Sequence, residues 1–163
     1  MGVRNCQEIG ENLQKIVSRL MANDDLINLL YYTDKDPLSH SHLTNSQKRE
    51  EIYEKLIKVV PRVGPKEFAT SLIVIRVARG TNNLENTEFR DILLEIETFV
   101  PLTQWIIKNS NLRPFAIMGE IQKSLNGKLI NGLGKLTGGD FELNFLSEEI
   151  GCYLQQFRVT TYD

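Results

Sequence analysis

The stretch Phe68-Ala-Thr-Ser-Leu-Ile-Val-Ile-Arg-Val-Ala78, followed after a polar interval by Arg90-Asp-Ile-Leu-Leu-Glu-Ile-Glu-Thr-Phe99, decides the fold. The first run is dense in β-branched residues and apolar on both alternating faces, the pattern of a strand covered on both sides through much of its length. In the second run Ile92, Leu94 and Ile96 are apolar while Glu95 and Glu97 are charged, so one face is buried and the other partly solvated. Strands that follow each other in this way pair as a hairpin. Their connection, Gly80 to Arg90, carries Glu85 and Glu88, is long for a hairpin and reads as a contact loop rather than a tight turn.

Upstream the chain is helical. Ile9, Leu13, Ile16, Val17 and Leu20 recur at three-and-four spacing along one helix face. Asn23 and Asp24 can cap a second helix over the apolar run Leu26 to Tyr32, which is apolar on most sides and so predicts burial. Thr33 to Asn45 lacks apolar period and contains Pro37, so it predicts a surface excursion and the one candidate hinge. Ile52, Leu56 and Val59 give a third, charged helical stretch from Ser46, although Lys58-Val59-Val60 can also open a strand before Pro61.

Downstream, Pro114 suits the first turn of a helix whose stripe is Ile117, Met118, Ile121 and Leu125, and Asn126-Gly127 ends it. Phe141-Glu-Leu-Asn-Phe-Leu146 alternates as a strand does, with Gly138-Gly139 as a bend or hairpin before it. Gly151 to Tyr162 is a strand by composition, reached through the turn Ser147 to Ile150. The expected fold is therefore one α+β domain over residues 1–163: a mostly antiparallel sheet of about four strands packed against helices, with a helical N-terminal segment.

The 163 residues suffice for one sizeable core, and 19 basic against 21 acidic residues give a net charge of −2, which removes the basic excess of a general nucleic-acid coat. Cys6 and Cys152 form no C-x-x-C pair or zinc spacing and predict a reduced, intracellular setting. The opening MGVRNCQEIGENLQ has no signal-peptide core, nothing approaches a membrane span, and Cys6 stands where a myristoylation start wants Ser or Thr.

Candidate chemistry is sparse. Gly132, Gly134, Gly138 and Gly139 lack the Lys and Ser or Thr of a phosphate-binding loop and read as turn residues. His40 and His42 form an H-x-H pair able to share a metal if extended, but on a polar loop two ligands read as a solvated segment. Cys152 has no nucleophile context and reads as a packing residue. Asp91, Glu95 and Glu97 on one strand raise a small metal-dependent nuclease, since two-metal chemistry needs such carboxylates. The lysine that follows the second acid in restriction-type nucleases is absent, and Arg76 and Arg79 on the preceding strand can meet the glutamates as cross-strand ion pairs instead.

Taken together, Trp105, Asn111-Leu-Arg-Pro-Phe-Ala-Ile-Met-Gly-Glu-Ile121, Leu125-Asn-Gly-Lys-Leu-Ile-Asn-Gly-Leu-Gly134 and the closing Tyr153 to Asp163 resemble the tail terminator or tail-completion proteins of tailed bacteriophages. The amphipathic first helix and Asn23 to Leu30 resemble the opening of such proteins. The resemblance is one of element order and loose pattern over most of the chain. It implies a non-enzymatic virion protein of the tail or neck, without cofactor or metal, made in the host cytoplasm. Such a protein forms a hexameric ring that caps the tail tube, ends its growth and joins it to the neck and head. Its implied partners are further copies of itself, the tail tube protein, a neck or head-completion protein and the sheath protein, with no membrane and no sequence-specific nucleic acid. Neighbouring neck proteins, stoppers and adaptors, are the alternative station. Arg76, Arg79, Glu85, Glu88, Arg90, Glu95 and Glu97 are the expected ring or tube contacts, because they put many charges on short strands and their loop; a solvated sheet face accounts for the same charges.

Overall fold

A computed structural model describes residues 6–59, 69–82 and 90–160, with only the backbone described at 82, 90 and 160. Among the described residues four α-helices pack with a six-stranded, mixed, curled sheet in the order β1-β2-β3-β6-β5-β4. The helices are α1 (Cys6–Met21), α2 (Asp24–Tyr31), α3 (Asn45–Glu51) and α4 (Arg113–Leu125). The strands are β1 (Ile57–Lys58), β2 (Leu72–Asn82), β3 (Arg90–Pro101), β4 (Leu129–Ile130), β5 (Gly134–Leu146) and β6 (Ile150–Thr160).

Four of the strands are the ones the sequence announces, and their pairings are antiparallel. The count of four is corrected to six by two outer strands of two residues each, too short to show a period: β1, parallel to β2, and β4, antiparallel to β5. The first long strand starts at Leu72 and runs to Asn82 rather than spanning 68–78, so it extends into the polar connection; residues 83–89 of that connection, Glu85 and Glu88 included, lie outside the described residues. Gly138-Gly139 is not a hairpin. Both glycines sit inside β5 at positive φ where the register shifts, a bulge that bends the strand without ending it. A Cβ at Gly138 would meet the Gln156 carbonyl oxygen at 2.6 Å, which enforces glycine there.

Helix one buries Asn12, Leu13, Ile16, Val17 and Leu20, the expected stripe without Ile9, which is half-buried, plus one polar side chain. Asn12 donates to the Gly132 carbonyl at 2.8 Å and so ties α1 to the turn before β5. The Asn23 side chain accepts from the Leu26 amide, and Leu26 to Leu30 are all buried, as their composition requires. The third helix stops at Glu51, short of the stripe through Val59, and its start is a capping box of Thr44 and Gln47. The core forms where α1, α2 and α4 meet the sheet face bearing Ile73, Ile75, Ile92, Leu94, Ile96, Phe157 and Val159.

The Thr33 to Asn45 excursion is pinned rather than hinged. Pro37 and Leu43 are buried, the Asn28 side chain donates to the His40 carbonyl, and His40 stacks on Tyr32 with ring centres 4.0 Å apart. From α4, the guanidinium of Arg113 reaches under this segment. It is 1% exposed and donates to the carbonyls of Leu29, Tyr32, Asp34 and Gln104. Leu29 lies in the last turn of α2, so a cation from another helix satisfies carbonyls that the helix end leaves open. Burial pushes the Arg113 pKa down while the nearby Asp34 carboxylate opposes that shift.

Candidate assembly interface

The sheet face turned away from α4 carries Arg76, Arg79, Glu95 and Glu97 of the expected charged residues. Arg76 pairs in register with Glu95, and its Nε lies 3.0 Å from Glu95 Oε2 while an η-nitrogen contacts Glu97. Gln156, from β6, donates to the other Glu95 oxygen at 3.1 Å. Glu97 is buried, and the Cys152 thiol beside it donates to its Oε2 at 3.7 Å. Burial pushes that thiol up to about 12, so Cys152 is a protonated packing residue.

The cross-strand ion pair is thus present at Arg76 and absent at Arg79. A register shift between Val77 and Arg79 carries Arg79 past the glutamates to a position opposite Leu93. There it is exposed and lines a shallow pocket with Asp91 and Arg158 at the far end of the sheet. Arg90 pairs through its backbone with Asn82. Asp91 lies at that same end, while Glu95 and Glu97 are committed to Arg76, so the three acids do not converge as a two-metal centre requires. The two histidines also part company: His40 Nε2 is 2.6 Å from Asp34 and His42 Nδ1 is 3.3 Å from Asp24. Among the described residues no group of three metal-ligating side chains assembles, and no helix is long and apolar enough to cross a membrane.

The unexpected feature is the outer side of β5. Strand β4 covers only Gly134 and Lys135, Leu136 bonds to Lys128 and Gly127, and the Gly138 amide donates to the Asn126 side chain. From Gly139 to Leu146 no further strand lies alongside among the described residues. Apolar side chains stand out from this free stretch: Phe141, Leu143, Phe145 and Leu146 are 56, 52, 51 and 61% exposed. Isolated exposed apolar residues are ordinary, but four on one unpaired edge are not. Toward the helices the patch is continuous. Phe141 contacts Phe115 at 5.9 Å and Tyr153 at 6.2 Å between ring centres, Phe115 meets Tyr153 at 5.1 Å, and Trp105 adjoins Tyr153 at 6.2 Å. Gly151 permits this, since a Cβ there would meet the Trp105 ring at 2.5 Å.

The profile of one protein family, YomW, matches residues 23–150, well over half the chain. The chain belongs to the YomW family. YomW is a phage-like family of the SPbeta prophage type, and the protein is accordingly phage-associated. The match to YomW runs from the cap of α2 to the first residue of β6 and so includes both the pinned excursion and the whole of the β5 edge. No curated protein and no solved structure matches the chain.

The alternating pattern of residues 141–146 is legible as a strand. The absence of a described strand on its outer side is not, because the sequence does not say which strand lies beside which. One signal was there: the span from Asn126 to Leu133 is too short to hold a strand able to pair the full length of β5.

Proposed function

We propose that this YomW-family protein is a structural component of a phage particle, a tail terminator that forms a ring on the end of the tail tube, stops its growth and joins it to the neck and head. The observation that carries this reading is the free, apolar edge of β5, a surface that asks to be covered by another polypeptide. Family membership supports the phage setting, and the resemblance of residues 105–163 and of the helical opening to tail-completion proteins supports the terminator station. In the neck, a stopper or adaptor is the nearest other role, differing in which neighbour is bound rather than in the need for such an edge. Protein mass measured in solution and negative-stain images of the protein mixed with tail tubes test the reading. Rings, six-membered by the resemblance, and tubes with one capped end are expected. A chain that stays monomeric at high concentration and leaves tube length unchanged overturns it.

A further inference from the structure

We infer that copies of this chain join head to tail through their sheets, with the stretch of β5 that no described strand covers on its outer side pairing with the corresponding stretch of β2 on the next copy. The inference rests on the assembly reading above and names the two surfaces that reading requires. On the outer side of β2, β1 pairs only at Ile73 and Val74, so Ile75 to Asn82 has no strand partner among the described residues. This matches the length of Gly139 to Leu146 on β5. Ala78, Arg79 and Gly80 are exposed there, and a Cβ on Gly80 would meet nothing within 4 Å.

Charge selects the pairing. The β5 stretch holds Asp140 and Glu142 and no cation, whereas the β2 stretch holds Arg76 and Arg79 and no acid. Pairing β5 with a second β5 sets its acids against one another, and pairing β2 with β2 does the same to its arginines; only the mixed pairing opposes unlike charges. Direction follows from topology. β2 runs with β6 and against β5, so a second copy laid edge to edge with its helices on the same side meets β5 with its β2 antiparallel. Register follows from the short strands, because β1 and β4 occupy the two edges at one end each. The alignment that clears both sets Ile75 near Leu146 and Asn82 near Gly139, which brings Arg79 within about one residue of Glu142. Both lie on the face turned away from the helices, since Arg79 is opposite Leu93 and Glu142 is opposite Leu154. Arg76 is held by Glu95 and Glu97, whereas Arg79 makes no ion pair with any described residue. Each edge also carries a bulge, between Val77 and Arg79 and between Leu143 and Phe145, so neither is flat enough to recruit strands indiscriminately. An interface between two different surfaces of one chain propagates and closes into a ring when its rotation permits.

Charge reversal in the full-length protein tests this. Glu142→Lys and Arg79→Glu alter exposed side chains, and each alone opposes like charges at every interface, so each should weaken assembly about tenfold. Mixing the two variants in equal amounts opposes unlike charges at every contact between unlike copies. Assembly in the mixture should return close to wild type, which also demonstrates that both variants are folded. A silent Arg79→Glu, or a mixture no better than its components, overturns the pairing while leaving ring formation by the wild-type chain intact. Failure of the wild-type chain to assemble, alone or on tail tubes, overturns the functional reading itself.

Discussion

Replacing Arg113 by Met removes one cation and four hydrogen bonds from beneath the α2–excursion corner. Its Nε donates to Gln104 at 2.9 Å, one η-nitrogen donates to Leu29 at 2.7 Å and Tyr32 at 2.8 Å, and the other donates to Asp34. Hydrogen bonds from a charged donor contribute about 1.5–3 kcal/mol each, so four amount to about 6–12 kcal/mol gross. Desolvating the guanidinium costs several kcal/mol, which Met does not incur, and water can reach the three part-buried contacts once the fork is gone. The net loss expected is about 3–5 kcal/mol, carried mainly by the Leu29 carbonyl, whose contact is buried. Lysine keeps the charge but presents three donors at one point, so it cannot span carbonyls arrayed around a planar fork, and Arg113→Lys should lose about 2 kcal/mol. Equilibrium urea unfolding reads both, with the Met midpoint falling by about 1.5–2.5 M. Amide exchange should also accelerate in residues 33–45 before it does in β3 and β6, because Arg113 holds the excursion and not the sheet. A Met variant within about 1 kcal/mol of wild type, or a Lys variant equal to it, would refute the argument that the fork geometry is what matters.

Three further outcomes are expected. Arg76→Met leaves Glu95 and the buried Glu97 on one face without their cation and should cost about 3 kcal/mol near neutral pH, read by urea unfolding; a loss below about 1 kcal/mol would count against the pairing. In native protein at about pH 8 a thiol reagent should modify exposed Cys6 and spare Cys152, whose raised pKa keeps it protonated, whereas both should react in denaturant; two fast thiols in the folded protein would contradict the burial. The Asp34 pKa is held down chiefly by the Asp36 amide and also by His40, so its stabilising contribution is present above the ordinary value of 3.8 and is lost as pH falls through the depressed folded value; Asp34→Asn should therefore flatten acid unfolding in that range, and identical acid profiles would contradict it.

Much of the fold was legible because its signals are local. The stripe of α1, the Asn23 cap, Pro114 at the start of α4 and the alternation at Ile92, Leu94 and Ile96 each express geometry within a few residues. The Arg76–Glu95 pair was legible too, since neighbouring strands in a hairpin bring facing charges together. What escaped depends on distant partners. Gly138-Gly139 resembles a turn, and only the closeness of the Gln156 carbonyl turns it into a bulge. Arg113 looks like an ordinary helix-start cation, and nothing near it in sequence foretells four carbonyls drawn largely from α2 and the excursion. The β5 edge escaped for the same reason, since exposure there is set by the shortness of β4 rather than by Phe141 or Leu143 themselves.

The position of β6 bears on how the protein comes to fold. It follows every other described element along the chain, yet it lies in the interior of the sheet, between β3 and β5, with pairs as distant as Ile92 and Val159. Until residues 150–160 have been synthesised, β1-β2-β3 and β4-β5 are two sheet fragments without the strand that lies between them. Contacts so remote in sequence make for slow folding, and the transient exposure of β3 and β5 makes the nascent chain prone to aggregation. The same order has a use. The β5 edge takes its place in the sheet only once β6 is there to pair with it, so the native geometry of that edge arrives together with the native fold.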